Sequence, residues 1–121
     1  MTSMRRVLGI VLVVGCGSAA RLTATPEEAH ALDTVRLVTR AQVDPKHVTV
    51  LVKVEGTSCK VGAHDPDPTE LDAMEQLKLW TLRNGGNAVV DTTCEAGGVD
   101  FGKNCFASIT CSGLALQLGS P

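Results

Sequence analysis

The chain has no tyrosine, one tryptophan and two phenylalanines among its 121 residues. Aromatic side chains bury the most area per residue, so a core without them leans on aliphatic packing and on covalent cross-links. Long apolar runs are also missing. The stretch from Val7 to Val14 is eight residues long, and a helix of that length covers about 12 Å against a hydrocarbon core of about 30 Å, too little to span a bilayer. There is no basic block: 11 Lys and Arg stand against 13 Asp and Glu, for a net charge of −2, which argues against nucleic acid as a partner. No Cys-x-x-Cys occurs, and no two cysteines lie two to four residues apart, so neither an activated redox thiolate nor a structural zinc site is expected. Nothing resembles a hydrolase elbow, a phosphate loop or a paired-carboxylate site. Glu70, Asp72 and Glu75 read as helix-surface charge. The histidines, His30, His47 and His64, are scattered. His64-Asp65-Pro66-Asp67 would bind a cation only weakly, and Asp67 reads better as a helix cap. No catalytic residue, metal or cofactor is therefore expected.

The cysteines carry the most information, and they divide into one plus four. Cys16 ends the apolar run in the context Val13-Val14-Gly15-Cys16, behind the arginine pair Arg5-Arg6. Positive residues, a short apolar stretch, a small residue and a cysteine, in that order, make residues 1–15 a lipoprotein signal peptide and Cys16 the lipidation site. Acyl chains on Cys16 would anchor the mature chain, each buried methylene adding about 0.8 kcal/mol. Gly17 follows, in place of the aspartate that favours inner-membrane retention in enteric bacteria, so the outer membrane is the expected address. The domain would face the periplasm. Cys59, Cys94, Cys105 and Cys111 are the even number expected of a disulfide framework in an oxidising compartment.

About 105 residues remain after the leader, enough for one small domain. Residues 16–34 read as a lipidated flexible tether. Fully extended, it reaches about 55 Å from the anchor. A short helix from Pro26 to Leu32, with Thr25 as cap and Glu28 at the third position, is the competing reading of its second half. The globular domain then covers 35–121. Val35 to Thr39 is a strand candidate. Asp44-Pro45 marks a turn. Val48 to Val54 is a second strand, with Val48, Val50, Val52 and Val54 on one face. Asp67-Pro68-Thr69-Glu70 announces a helix, with Asp67 at its cap and proline at its first position. Ala73, Met74, Leu77 and Trp80 form one apolar face, while Leu71, Leu79 and Leu82 lie around another side. Asn84-Gly85-Gly86 ends the helix. Asn87 to Cys94 reads as a strand, Glu95 to Asn104 as a glycine-rich loop, and Cys105 towards Leu118 as the last strand. The order strand, strand, helix, strand, strand predicts an α+β fold, a largely antiparallel four-stranded sheet with one helix packed on it.

Four cysteines allow three pairings. Six residues of strand separate the ends of Cys105-Phe-Ala-Ser-Ile-Thr-Cys111 by about 20 Å, and a disulfide requires Cα atoms within about 7 Å. Cys105 with Cys111 is thereby excluded, and Cys59 with Cys94 falls with it. Cys59–Cys105 with Cys94–Cys111, and Cys59–Cys111 with Cys94–Cys105, both remain open.

Val54-Glu-Gly-Thr-Ser-Cys59, the helix, Gly86-Asn-Ala-Val-Val, Cys94-Glu, Cys105 and Cys111 together resemble the RcsF family of outer-membrane lipoproteins, which feed envelope stress into the Rcs phosphorelay. Val35-Arg-Leu-Val-Thr resembles that family's first strand, so the resemblance covers roughly Val35 to Leu118. It implies a small mixed sheet with one helix and disulfides between non-consecutive cysteines, here Cys59–Cys105 and Cys94–Cys111. It also implies a protein without catalytic activity. The lipid anchors it in the outer membrane, the tether associates with an outer-membrane β-barrel protein, and the domain signals to an inner-membrane regulator. This chain departs from the family in its tether, which is shorter and has only Pro26 and Arg21 where the enteric proteins are proline-rich and basic. A small accessory lipoprotein that binds envelope components without signalling is the alternative expectation.

Overall fold

The computed structural model describes residues 21–99 and 104–119. Along them run a short helix α1 (Pro26–Ala31), strand β1 (Arg36–Val38), strand β2 (Val48–Lys60), helix α2 (Glu70–Arg83), strand β3 (Ala88–Gly97) and strand β4 (Ala107–Leu118). The strands form one sheet in the order β1-β3-β4-β2. β4 is antiparallel to both β2 and β3, and β1 runs parallel to β3. The domain is thus α+β with a mixed, mostly antiparallel sheet and helices packed on it. β2 and β3 both oppose β4 and so run parallel to each other, and α2 is the crossover that parallel strands require. The pattern predicts one helix packed on the sheet; α1, within the stretch read as tether, is a second.

The cap of α2 lies two residues later than expected. Thr69, not Asp67, is the N-cap, its hydroxyl accepting from the Asp72 amide at 3.0 Å. Asp67 is instead drawn to the Lys60 ammonium at 3.0 Å. The helix ends as the sequence predicts. Gly85 takes φ +83°, where a side chain would be strained. The Gly86 amide bonds the Thr81 carbonyl at 2.8 Å, and the Gly85 amide bonds that of Leu82 at 3.0 Å. Both bonds define a Schellman termination.

The core has two layers. Between α2 and the sheet, Val54, Ala73, Leu77, Val89, Cys111 and Ala115 are buried together, with Val35 at the edge. On the opposite sheet face Val38, Ala88, Val90 and Leu116 form a second cluster, with Val43, Val48 and Leu114 against it. Helix and sheet meet at backbone distance over Gly56: a Cβ there would lie 2.2 Å from both the Ala73 carbonyl oxygen and the Leu77 amide nitrogen.

The expected one-face valine stripe does not form. Val50 stands opposite Leu116 and Lys53 opposite Leu114, so two residues of β2 face one of β4. Such a bulge reverses the alternation of side chains. Val48 therefore packs in the outer cluster while Val54 is buried beneath α2, and Val50 and Val52 are exposed. β3 carries a bulge of its own between Val90 and Thr93. There Asp91 takes φ +58°, a left-handed conformation that aspartate adopts more readily than most residues. Its carboxylate accepts from Arg40 Nε at 3.1 Å. The arginine is also what holds the Asp91 carboxyl below its usual pKa.

Candidate functional site

The four domain cysteines close two disulfides. Cys94 and Cys111 are direct cross-strand partners in the β3–β4 register, with Cα atoms 4.0 Å apart. Cys59, near the end of β2, joins Cys105, just before β4, with a Cα separation of 5.4 Å. Of the two pairings that spacing left open, this is the one the family resemblance implied. Every cysteine among the described residues is bonded, so none presents a thiolate in this state. Cys16 lies outside the described residues, and so does the signal-peptide segment.

The second half of the expected tether is ordered. From Arg21 onward the chain lies along one flank of α2. The Arg21 guanidinium holds the Asp72 carboxylate through two bonds of 2.8 and 2.7 Å. The Leu22 amide donates to Gln76 Oε1 at 2.9 Å, and Gln76 Nε2 returns a bond to the Leu22 carbonyl at 3.0 Å. Gln76 is buried at 6 % exposure, and a buried amide group must find partners. At the far end of α2, Arg83 donates to both Glu28 oxygens at 2.9 Å and to the Thr23 carbonyl at 2.8 Å. Glu28 also closes the capping box of α1, accepting from the Thr25 amide while the Thr25 hydroxyl accepts from the Glu28 amide. The competing helix reading of 26–32 is therefore the one that the fold adopts, and a free tether through residue 34 is not. Leu79, which the sequence places on a second apolar side of α2, is buried and lines a crevice with Leu22 and Leu32. The chain's own N-terminal segment covers Leu79, while Leu71 on the same side stays exposed.

This flank is charged, and its carboxylates respond. The Arg83 bond, and then the Thr25 amide, lower the pKa of Glu28 to about 2. The Arg21 bond lowers that of Asp72, against an opposing effect of burial. Asp72 had read as plain helix-surface charge; its partner, 51 residues away, gives no local signal.

Of the other residues singled out in the sequence, Asp65 accepts from the Gly62 amide at 2.8 Å and closes a turn, and His64 is exposed. His47 lies 2.9 Å from Asp44, which also accepts from the Lys46 amide. Among the described residues no three His, Cys, Asp or Glu are grouped to hold a metal ion, and no helix is long and apolar enough to cross a membrane. An open groove of about 210 Å³ lies on the sheet face away from α2, lined by Val43, Pro45, Val48, Val90 and Leu114 with Arg40 at its edge.

Two disulfides cross-link the sheet, α2 packs on it at backbone distance over Gly56, and the N-terminal segment is bonded to α2. No protein-family model matches the chain, and no curated protein matches it.

Proposed function

We propose that this chain is a non-enzymatic lipoprotein of the RcsF type, held in the outer membrane by acyl chains on Cys16 and working through protein contacts of its periplasmic domain. In this reading the domain conveys envelope stress to an inner-membrane regulator of a phosphorelay. One observation carries the proposal: four cysteines are used up in two disulfides, and the fifth follows an arginine pair, a short apolar run and a glycine. A leftover cysteine in an exported disulfide protein calls for another use, and acylation supplies it. The family's pairing of Cys59 with Cys105 and Cys94 with Cys111 supports the same reading.

The test is cross-linking in cells. A sensor traps an inner-membrane protein more strongly when the envelope is stressed, and a Cys16→Ala variant loses both membrane retention and the stress response. Equal capture with and without stress overturns the signalling role.

A second reading is favoured by the docked segment. The family's contact with a β-barrel protein uses a long free tether, and here residues from Arg21 onward are bonded to α2. An accessory lipoprotein that binds envelope components without signalling needs no such tether. Stress-independent cross-links confined to outer-membrane proteins would select it.

A further inference from the structure

We propose that the disulfide-bearing end of the domain rests on the membrane surface, with Phe106, Val61, Val99 and Leu71 forming an apolar foot in the lipid interface. The inference builds on acylation of Cys16, the proposed function above.

Chain length carries the first half. Only residues 17–20 separate Cys16 from Arg21. Five Cα steps cover at most about 18 Å even when fully extended. Arg21 is fixed to Asp72 in the first turn of α2, so the stand-off is about a third of what a free tether through residue 34 would allow. Arg21, Ser58, Cys59, Asp65 and Asp67 line one crevice, which places the entering chain at the Cys59–Cys105 end of the sheet. An anchor so close to that end keeps it near the bilayer.

The surface carries the second half. Seven large hydrophobic residues are exposed among the described residues, and four belong to this end: Val61 at 59 %, Leu71 at 72 %, Val99 at 57 % and Phe106 at 50 %. Val61 directly follows β2, Val99 lies two residues past β3, Phe106 directly precedes β4, and Leu71 is in the first turn of α2. Four elements thus bring apolar side chains to the end from which the anchor emerges. Lys60 sits with its ammonium 5.9 Å from the Phe106 ring centre. An aliphatic stem and an aromatic ring with a charged head beside them suit the boundary between headgroups and acyl chains. Asp65, Asp67 and Glu70 are also at this end and exposed. Among the described residues at this end, Lys60 and Arg21 stand against those carboxylates and Asp72, so the described rim is negative. The foot therefore fits a zwitterionic surface and is repelled by an anionic one.

The experiment uses the full acylated protein, purified from its membrane and reconstituted in phosphatidylcholine vesicles with brominated acyl chains. Native emission comes from Trp80 alone, on the second half of α2. Phe106→Trp adds a reporter in the foot, and Val50→Trp adds one on the exposed early part of β2. Both sites are half-exposed, so the fold tolerates the change. The Phe106→Trp emission shifts to the blue and is quenched by bromolipid, the Val50→Trp emission is not, and phosphatidylglycerol in the vesicles weakens the quenching. Mass analysis of the Cys16 peptide accompanies the measurement. Acylated Cys16 with equal quenching at both sites, or at neither, overturns the foot alone. Unacylated Cys16 overturns the foot together with the anchoring on which it stands.

Discussion

Helix α2 makes two contacts of opposite kind. Towards the sheet it presents Ala73 and Leu77, so close to Gly56 that no side chain fits between them. Towards the N-terminal segment it presents Asp72, Gln76 and Arg83, and the contact consists of ion pairs and hydrogen bonds around buried Leu79. The first contact is apolar, buried and without titratable groups among its core residues. The second is polar, partly exposed and held by carboxylates. Sheet contact makes the fold; segment contact fixes where the chain, and any anchor upstream, leaves it. The second can open without the first, because exposed ion pairs are individually weak.

Changes to the sheet side have the largest effects. Replacing both Cys59 and Cys105 by Ser opens a cross-link between residues 46 positions apart and costs about 4 kcal/mol of stability by loop-closure entropy. The same change at Cys94 and Cys111, 17 positions apart, costs about 3 kcal/mol. Denaturant unfolding of the two double variants gives this order, and a reversed order would mean that the buried cross-strand link does more than restrict the unfolded chain. Gly56→Ala costs about 3 kcal/mol or more, since the clash is with backbone and no side chain can swing away. It lowers the unfolding midpoint of the whole domain in one transition.

On the segment side, Gln76→Ala leaves the Leu22 amide and carbonyl without their partner and costs about 2 kcal/mol. The loss appears as faster hydrogen exchange in residues 21–31, with protection in β3 and β4 retained. Acid acts on the same contact. Glu28 and Asp72 titrate lower in the folded state than unfolded, so their contribution is complete above the ordinary carboxylate range and is lost on acidification, that of Glu28 fading as pH falls from about 4.5 towards 2. Residues 21–31 become sensitive to an acid-active protease in that window before the disulfide-linked sheet unfolds. Simultaneous loss of segment and sheet would show that the two contacts are not separable.

The sequence made the sheet side legible and the segment side nearly opaque. Ala73, Met74, Leu77 and Trp80 recur at helical spacing, and Asn84-Gly85-Gly86 supplies a stop that needs no distant partner. The cap slipped by two residues because Asp67 has a competing use, an ion pair with Lys60, that local pattern does not reveal. The bulge after Val50 was hidden for a related reason. No glycine or proline marks it, so Val48 to Val54 looks like unbroken alternation. In the segment, Thr25-Pro26 with Glu28 was a readable capping box, yet six helical residues seldom hold by themselves. What holds them is Arg83 on Glu28, while Asp72 and Gln76 hold the preceding Arg21 and Leu22, all across more than 50 residues. The disulfide partners were legible halfway: strand geometry excluded one pairing, and only the fold brings Cys59 beside Cys105.

A non-reducing peptide map of the protein isolated from its own membrane tests the one-plus-four division of cysteines most directly. The account predicts acyl chains on the Cys16 peptide and disulfide-linked peptides joining Cys59 to Cys105 and Cys94 to Cys111. An unmodified Cys16, or free thiols at those four positions, would contradict it.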